Sequence, residues 1–89
     1  MRMSETEALK RREREERAQR AKELRTFRQR NLMSQRNLAE LSGISRRTIQ
    51  QIENATIIPS FNTQRRFLTF ASAFESGGMA AWLKEGHSN

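Results

Sequence analysis

The chain has 89 residues, enough for one small domain, and its 17 lysines and arginines outnumber its 10 acidic residues by seven. Because a surplus of this size attracts polyanions, we expect nucleic acid as the first class of partner and an anionic membrane surface as the second. With no cysteine and one histidine, the chain lacks the groups for a disulfide, a thiolate metal site or a catalytic centre, so we expect no enzyme, no metal and no cofactor.

The chain has no sequence signal for a membrane. No apolar run approaches the ~20 residues that a spanning helix needs, and the N-terminus lacks the apolar stretch of a secretory signal. The basic N-terminal part also lacks the apolar face that insertion into a membrane surface requires. We therefore expect a soluble cytoplasmic protein with no membrane partner, associated with the nucleoid when it is bound to DNA.

Residues 1–22 form a charged extension that the sequence predicts to be helical. Ser4 followed by Glu7 has the spacing of a capping box. Acid–base pairs four residues apart follow at Glu7–Arg11, Glu13–Arg17 and Glu16–Arg20. Because the few apolar residues make a poor stripe, we expect little packing and a helix that frays. Three roles stay open: a solvated helix, an arm that contacts DNA, or a contact with a partner subunit.

Residues 23–86 hold most of the larger apolar side chains and form the predicted packed domain, with a tail at 87–89. A face that can be buried begins with Leu24 and Phe27. Ser34 is placed to cap a helix over residues 35–42, and Gly43 follows its end, where a left-handed residue is least strained. Ser45 is placed to cap the next helix, over residues 46–54.

The C-terminal part predicts two more helices. Pro59 stops the preceding helix and Ser60 begins the next one, which Gly77 and Gly78 end. Its four phenylalanines are most simply core residues: Phe61, Phe67, Phe70 and Phe74. A short helix over residues 79–85 carries three residues that we assign to the core or, preferably, to a dimer interface: Met79, Trp82 and Leu83. No segment alternates as a strand, so we expect an all-α bundle of about five helices.

Two capped helices joined by a short turn with a glycine predict a helix-turn-helix over residues 34–54. Ala39 is small enough to let the second helix cross close above the first, and Ile44 fills the angle between them. Docking through Ile49 and Ile52 leaves polar side chains on the outer face, as in a helix that enters the major groove. These side chains are Arg46, Arg47, Gln51 and, to one side, Gln50.

Seven short motifs between residues 24 and 74 form a combined pattern: Phe27-Arg28, Ser34-Gln35, Leu38-Ala39-Glu40, Gly43-Ile44-Ser45, Thr48-Ile49, Ile52-Glu53 and Pro59-Ser60. In this combination the chain resembles the phage repressor and Cro type of helix-turn-helix proteins, the XRE family. The likeness reaches more weakly to Trp82-Leu83. It implies a compact five-helix, lambda-repressor-like domain, with the charged helical extension outside the family core, and double-stranded DNA as the partner.

The resemblance also implies roles for individual residues. Arg46, Arg47 and Gln51 match the family's base-reading positions, and we add Gln50 beside them. Contacts with the DNA backbone are expected from six polar residues: Gln35, Thr48, Asn54, Ser45, Arg36 and Arg65. Thr48 has a thymine methyl as an alternative target. Arg28 and Glu53 match a partly buried ion pair whose role in the family is structural.

The chain departs from the family pattern at three places. The family usually has glycine near Leu32 and at Ala55, so Ala55 leaves the end of the recognition helix open. About three extra residues, around residues 64–66, precede Phe67. They add either one helical turn or a longer loop, and they bring Arg65 and Arg66 near a region that the family uses for phosphate contacts.

Two classes of function compete. The leading hypothesis is a transcriptional regulator, expected to be a repressor, that binds a palindromic operator as a homodimer. The alternative is a protein-binding module, an antitoxin or antiactivator that holds a regulatory protein partner on the helix-turn-helix scaffold. Among DNA binders, an architectural or recombination-directionality role also remains open.

Overall fold

The computed structural model describes residues 3–84, apart from the side chains of residues 80, 81 and 83. Throughout that range the chain has no strand, so the predicted all-α class is confirmed. The helices in chain order are α1 (Glu5–Arg30), α2 (Gln35–Ser42), α3 (Arg46–Glu53), α4 (Phe61–Ser76) and α5 (Met79–Lys84). The predicted tail and the predicted end of the last helix at residue 85 lie outside the described residues.

A serine precedes each of the helices α1 to α4, and its hydroxyl accepts a hydrogen bond from the backbone N–H three residues later. Each cap satisfies one of the N–H groups that a helix start leaves without a partner. These serines are Ser4, Ser34, Ser45 and Ser60. Helix α2 ends at Gly43, whose φ of 78° is a left-handed conformation that glycine adopts without strain. The predicted bounds of α2 and the predicted starts of α3 and α4 are confirmed.

Helix α1 is continuous from the charged extension into the packed domain. Its 26 residues span about 39 Å at 1.5 Å per residue. Its buried side chains all follow residue 20: Ala21, Leu24 and Phe27. The division that the sequence suggests near residue 22 is therefore the point where packing begins, and no break in the helix marks it.

Ion pairs along the exposed part of α1 differ from the predicted set. Glu16–Arg20 forms at 3.8 Å, as predicted. Arg11 pairs with Glu15 at 3.0 Å, in the direction less favoured for a helix. Two of the predicted pairs, Glu7–Arg11 and Glu13–Arg17, are not formed in the described helix. Because the pairs that form are largely exposed, each stabilises the helix by only about 0.3–0.5 kcal/mol.

The hydrophobic core lies between α1, α2, α3 and α4 and is closed by α5. Phe27 of α1 meets Phe67 and Phe70 of α4 edge to face, with ring centroids 5.5 Å and 5.9 Å away. Such aromatic pairs contribute about 0.5–1.5 kcal/mol beyond the area they bury. The buried apolar members are Leu24, Phe27, Met33, Leu38, Ala39, Ile44, Ile49, Ile52, Phe67, Phe70 and Trp82.

Trp82 anchors α5 to the rest of the domain. Its ring lies 5.4 Å from that of Phe70, and its indole N–H donates to the carbonyl oxygen of Leu41 at 2.8 Å. With 2% of its surface exposed, Trp82 has no face left for a second copy, which corrects the preference for an interface role. Met79 is half-buried against the same core, and the side chain of Leu83 lies outside the described ones.

The prediction that Phe61 is a core residue is wrong, because its side chain is 78% exposed. The three extra residues around residues 64–66 belong to α4. Of the two predicted alternatives, they therefore add a helical turn at the start of α4 and not a longer loop. Phe61 lies nine residues before the buried Phe70, and at 100° per residue this places the two on opposite sides of α4. Phe67 and Phe70 are buried as predicted, and Phe74 is partly buried.

Among the described residues, two that are not glycine adopt positive φ: Leu32 at 55° and Ala55 at 56°. They follow the ends of α1 and α3, at the two positions where the sequence departs from the family's glycine. The left-handed conformation costs an L-residue roughly 1–2 kcal/mol. The chain therefore keeps the turn geometry at both positions and carries strain there.

We expect Leu32→Gly to stabilise the domain by about 0.5–1 kcal/mol, because the relief of strain exceeds the entropy that glycine adds to the unfolded chain. Leu32 is 92% exposed, so its removal forfeits little packing. Leu32→Ala is the matched control, since it shortens the side chain but keeps the strained φ. Urea unfolding followed by circular dichroism measures both, and equal stabilities for the two variants would contradict the strain.

Candidate nucleic-acid interface

The turn between α2 and α3 sets the angle of the presented helix. Gly43 turns the chain, and the buried Ser42 accepts the backbone N–H of Ile44 on its hydroxyl at 3.1 Å. The side chain of Ile44 is buried in the angle between the helices. These contacts hold the start of α3 in one orientation relative to α2, which is what a fixed reading surface requires.

Helix α3 docks by one side and presents the other. Ile49 and Ile52 are buried in the core. Four polar residues that the sequence assigns to base reading lie away from that side, three of them exposed and Gln51 half-exposed: Arg46, Arg47, Gln50 and Gln51. The structure therefore brings the predicted reading residues together on the outer surface of one two-turn helix.

Among the described residues, the arginines of this face have no neutralising partner. Arg46 and Arg47 form no ion pair in the described part of the chain, and residues 41–52 contain no aspartate or glutamate. Arg36, by contrast, pairs with Glu40 at 3.2 Å. An exposed surface with arginines and no carboxylate has the charge that a phosphate polymer requires.

Glu53, at the end of α3, is the polar centre that joins three helices. Its carboxylate accepts two hydrogen bonds from the Arg28 guanidinium, both at 2.9 Å, as the resemblance implies. The hydrogen bond to Glu53 raises the pKa of Arg28, against the opposite effect of burial. Arg28 also donates to the carbonyl oxygen of Met33 at 3.1 Å. Because Glu53 is only 3% exposed, its charge depends on these donors.

Arg25 is a member of this cluster that the sequence reasoning missed. Its guanidinium donates to the backbone carbonyl of Glu53 at 2.7 Å, which satisfies a carbonyl at the C-terminal end of α3. One guanidinium nitrogen also lies 3.9 Å from the Glu53 carboxylate. The signal in the sequence is the spacing of Arg25 and Arg28, three residues apart and hence on neighbouring positions of one helix face.

Gln35 begins α2 and lies beside the same carboxylate. Its amide nitrogen donates to Glu53 at 3.3 Å, and the side chain is partly exposed. One amide N–H is thus held by the ion pair, while the second can still reach an oxygen outside the protein. The Arg28–Glu53 ion pair therefore orients Gln35, the residue predicted to contact a DNA phosphate. The spacing of these residues in the sequence does not reveal this connection.

A basic concavity of about 550 Å³ lies between the start of α3 and the first turns of α4. Arg65 and Arg66 line it together with Ser45 and Thr48, and neither arginine has an ion pair among the described residues. The serine hydroxyl caps α3 and donates to the oxygen of Thr48 at 2.7 Å. The Thr48 hydroxyl hydrogen therefore remains able to donate to an oxygen of a ligand.

Asn54 closes α3 at its other end. Its backbone N–H donates to the carbonyl of Gln50 at 2.9 Å, and its side chain is exposed. The helix thus ends one residue earlier than predicted, and Ala55 makes the following turn with its positive φ. Asn54 and the Arg65 concavity lie at different margins of the presented helix.

No cluster of histidine, cysteine or acidic side chains suited to a metal ion occurs among residues 3–84. In the same part of the chain, no helix combines the length and the apolarity needed to cross a bilayer.

Comparison with known protein families matches a family model described as helix-turn-helix to residues 24–64. The matched segment begins within α1, contains α2 and α3 whole, and ends in the first turn of α4. It includes the proposed reading residues and the Arg28–Glu53 pair, and it leaves out the exposed part of α1. No curated protein and no solved structure matches the chain.

Proposed function

Because residues 24–64 belong to the helix-turn-helix family of the XRE (Cro/C1) type, we propose that the protein is a repressor that binds a palindromic operator as a homodimer. A domain of this family marks a DNA-binding regulator. The observation that carries the proposal is the outer face of α3, where two arginines with no ion pair among the described residues lie beside two glutamines, in a segment (41–52) that has no acidic residue.

Base reading falls to the side chains that α3 presents. Arg46 and Arg47 have the forked donors that pair with O6 and N7 of guanine, and Gln51 has the donor and acceptor that match adenine. Gln50 lies to one side and assists. Because the helix has two turns, one copy reads only a short half-site, and a second copy about 34 Å away on the DNA doubles the site.

Backbone contacts set the register of the reading helix. The supporting residues surround α3: Gln35, Arg36, Ser45, Thr48, Asn54 and Arg65. The free N–H of Gln35, the Thr48 hydroxyl and the Arg65 guanidinium are donors aimed at phosphate oxygens. Arg36 contributes less charge, because Glu40 already pairs with it.

The test is selection of bound sequences from random duplex DNA, with the stoichiometry of the complex measured on the selected site. We expect one palindromic sequence bound by two copies. Binding without preference for any sequence would refute a specific regulator. Capture of one stoichiometric protein partner, together with weak DNA binding that salt abolishes, would instead support the antitoxin or antiactivator alternative.

Arg47→Ala is expected to relax the preference at one base pair and to cost about 1–3 kcal/mol on the selected site. Arg65→Ala is the matched control, since it makes the same change at a residue assigned to phosphate. We expect it to weaken binding to all sequences alike and to lower the salt dependence. Competition between the selected site and single-base variants measures both, and an unchanged preference in Arg47→Ala would contradict its reading role.

A further inference from the structure

The exposed part of α1 has two differently charged faces. Between residues 11 and 25, at 100° per residue, five residues fall within about 40° of one line along the helix. We call them the basic stripe: Arg11, Arg14, Ala18, Lys22 and Arg25. Four of the five are cationic, and the fifth is an alanine that leaves room for a close approach.

The opposite face of α1 has most of the acid. Its carboxylates are Glu5, Glu13, Glu16 and Glu23. Arg12 and Arg20 lie among them, and Arg20 is paired with Glu16 and Glu23. The two acidic residues close to the stripe are Glu7 at its far end and Glu15, which pairs with Arg11. Basic and acidic side chains are thus concentrated on opposite faces of α1, so the helix has one basic side.

The basic stripe leads directly to the proposed reading head. Ala18, Lys22 and Arg25 line a groove of about 290 Å³ in which α1 passes Asn54 and Ala55, at the C-terminal end of α3. Arg25 fixes this crossing through its hydrogen bond to the carbonyl of Glu53. From there, Arg14 and Arg11 continue along the exposed helix away from the domain.

The length and composition of the stripe fit a polyanion better than a protein or a lipid surface. From Arg11 to Arg25 it extends about 21 Å along the helix axis, comparable with about six phosphates of one DNA strand. Arg14 and Lys22 have no ion pair in the helix as described. The stripe has no large apolar residue, which the core of a protein interface or insertion into a membrane requires.

We propose that the basic stripe of α1 is a second DNA contact that binds the phosphate backbone next to the half-site under α3. The inference rests on the proposed DNA-binding function and adds a surface that, except for Arg25, lies outside the matched segment. The binding energy that the basic stripe contributes is electrostatic and independent of the DNA sequence, since phosphate contacts carry no base information. The extension thereby increases affinity and salt dependence, while α3 alone supplies the preference.

Arg14→Gln tests the stripe, with Arg12→Gln as its matched control. Both arginines are exposed, neither has an ion pair among residues 3–84, and they lie about 160° apart on the helix. Glutamine keeps the helix propensity of arginine, so folding is preserved in both. The measurement is the affinity for the selected site and for a random duplex at several salt concentrations.

We expect Arg14→Gln to reduce the slope of log affinity against log salt by about 1 on both duplexes, with Arg12→Gln close to the parent. Arg14→Gln combined with Lys22→Gln is expected to reduce it by about 2. Equal slopes for the two single variants would overturn the inference, whatever the sequence preference. A parent protein without preference, but with the Arg14 difference on the random duplex, would refute the operator and keep the stripe.

Discussion

Glu53→Ala is expected to destabilise the domain by about 3–5 kcal/mol, because it leaves the Arg28 guanidinium partly buried without its partner. The loss exceeds that of an ordinary ion pair, since Gln35 also donates to the carboxylate and a guanidinium nitrogen of Arg25 lies 3.9 Å from it. A small domain has only about 5–15 kcal/mol in total. We therefore expect a large fall in the midpoint of thermal unfolding.

Glu40→Ala is the control for this variant. It also removes a glutamate paired with an arginine, but the Arg36–Glu40 pair is exposed on α2. Such a pair contributes at most about 0.5 kcal/mol. Urea unfolding of the two variants at one pH measures the difference. If Glu53→Ala cost no more than Glu40→Ala, the cluster at the end of α3 would have no structural role.

Trp82→Ala is expected to cost about 3–5 kcal/mol, the range for removing a large buried aromatic side chain. Its ring fills the space beside Phe70, and its loss also deprives the Leu41 carbonyl of its hydrogen bond. Both effects release α5 from α2 and α4. Equilibrium unfolding gives the size of the loss, and proteolysis at the C-terminal end of the chain reports the release of α5.

Trp82→Phe separates the two contributions. Phenylalanine keeps most of the ring contact and removes the indole N–H, so we expect a cost of about 1–3 kcal/mol from the unsatisfied carbonyl and the smaller ring. The parent, the phenylalanine variant and the alanine variant should therefore form a graded series. A change below about 1 kcal/mol in the alanine variant would mean that α5 is not docked.

Local chemistry made much of this fold predictable. The serine caps, Gly43 and the buried isoleucines act within a few residues of their own position, so the bounds of α2 and the face of α3 follow from short motifs. The all-α class follows for the same reason. The Arg28–Glu53 pair spans 25 residues and came from the family pattern, which contains a tertiary contact that no local rule supplies.

What the sequence did not reveal depends on where helices meet. Arg25 has a role only because α1 crosses the end of α3, and Gln35 is held only because the same carboxylate lies beside it. Phe61 is of a residue type that is usually buried, but the added first turn of α4 places its side chain on the exposed side of the helix. The buried position of Trp82 was difficult to predict because the composition of so small a domain does not show how much room its core has.

The unbroken course of α1 restricts how the length of its exposed part can vary. Each residue inserted or deleted before Ala18 rotates everything upstream by about 100° and shifts it by about 1.5 Å. Loss of two residues would turn Arg11 and Arg14 to the far side of the helix, whereas loss of seven would return the upstream positions to within about 20° of their starting angle. Changes in length near a multiple of seven are thus the ones that preserve the alignment of the extension with α3.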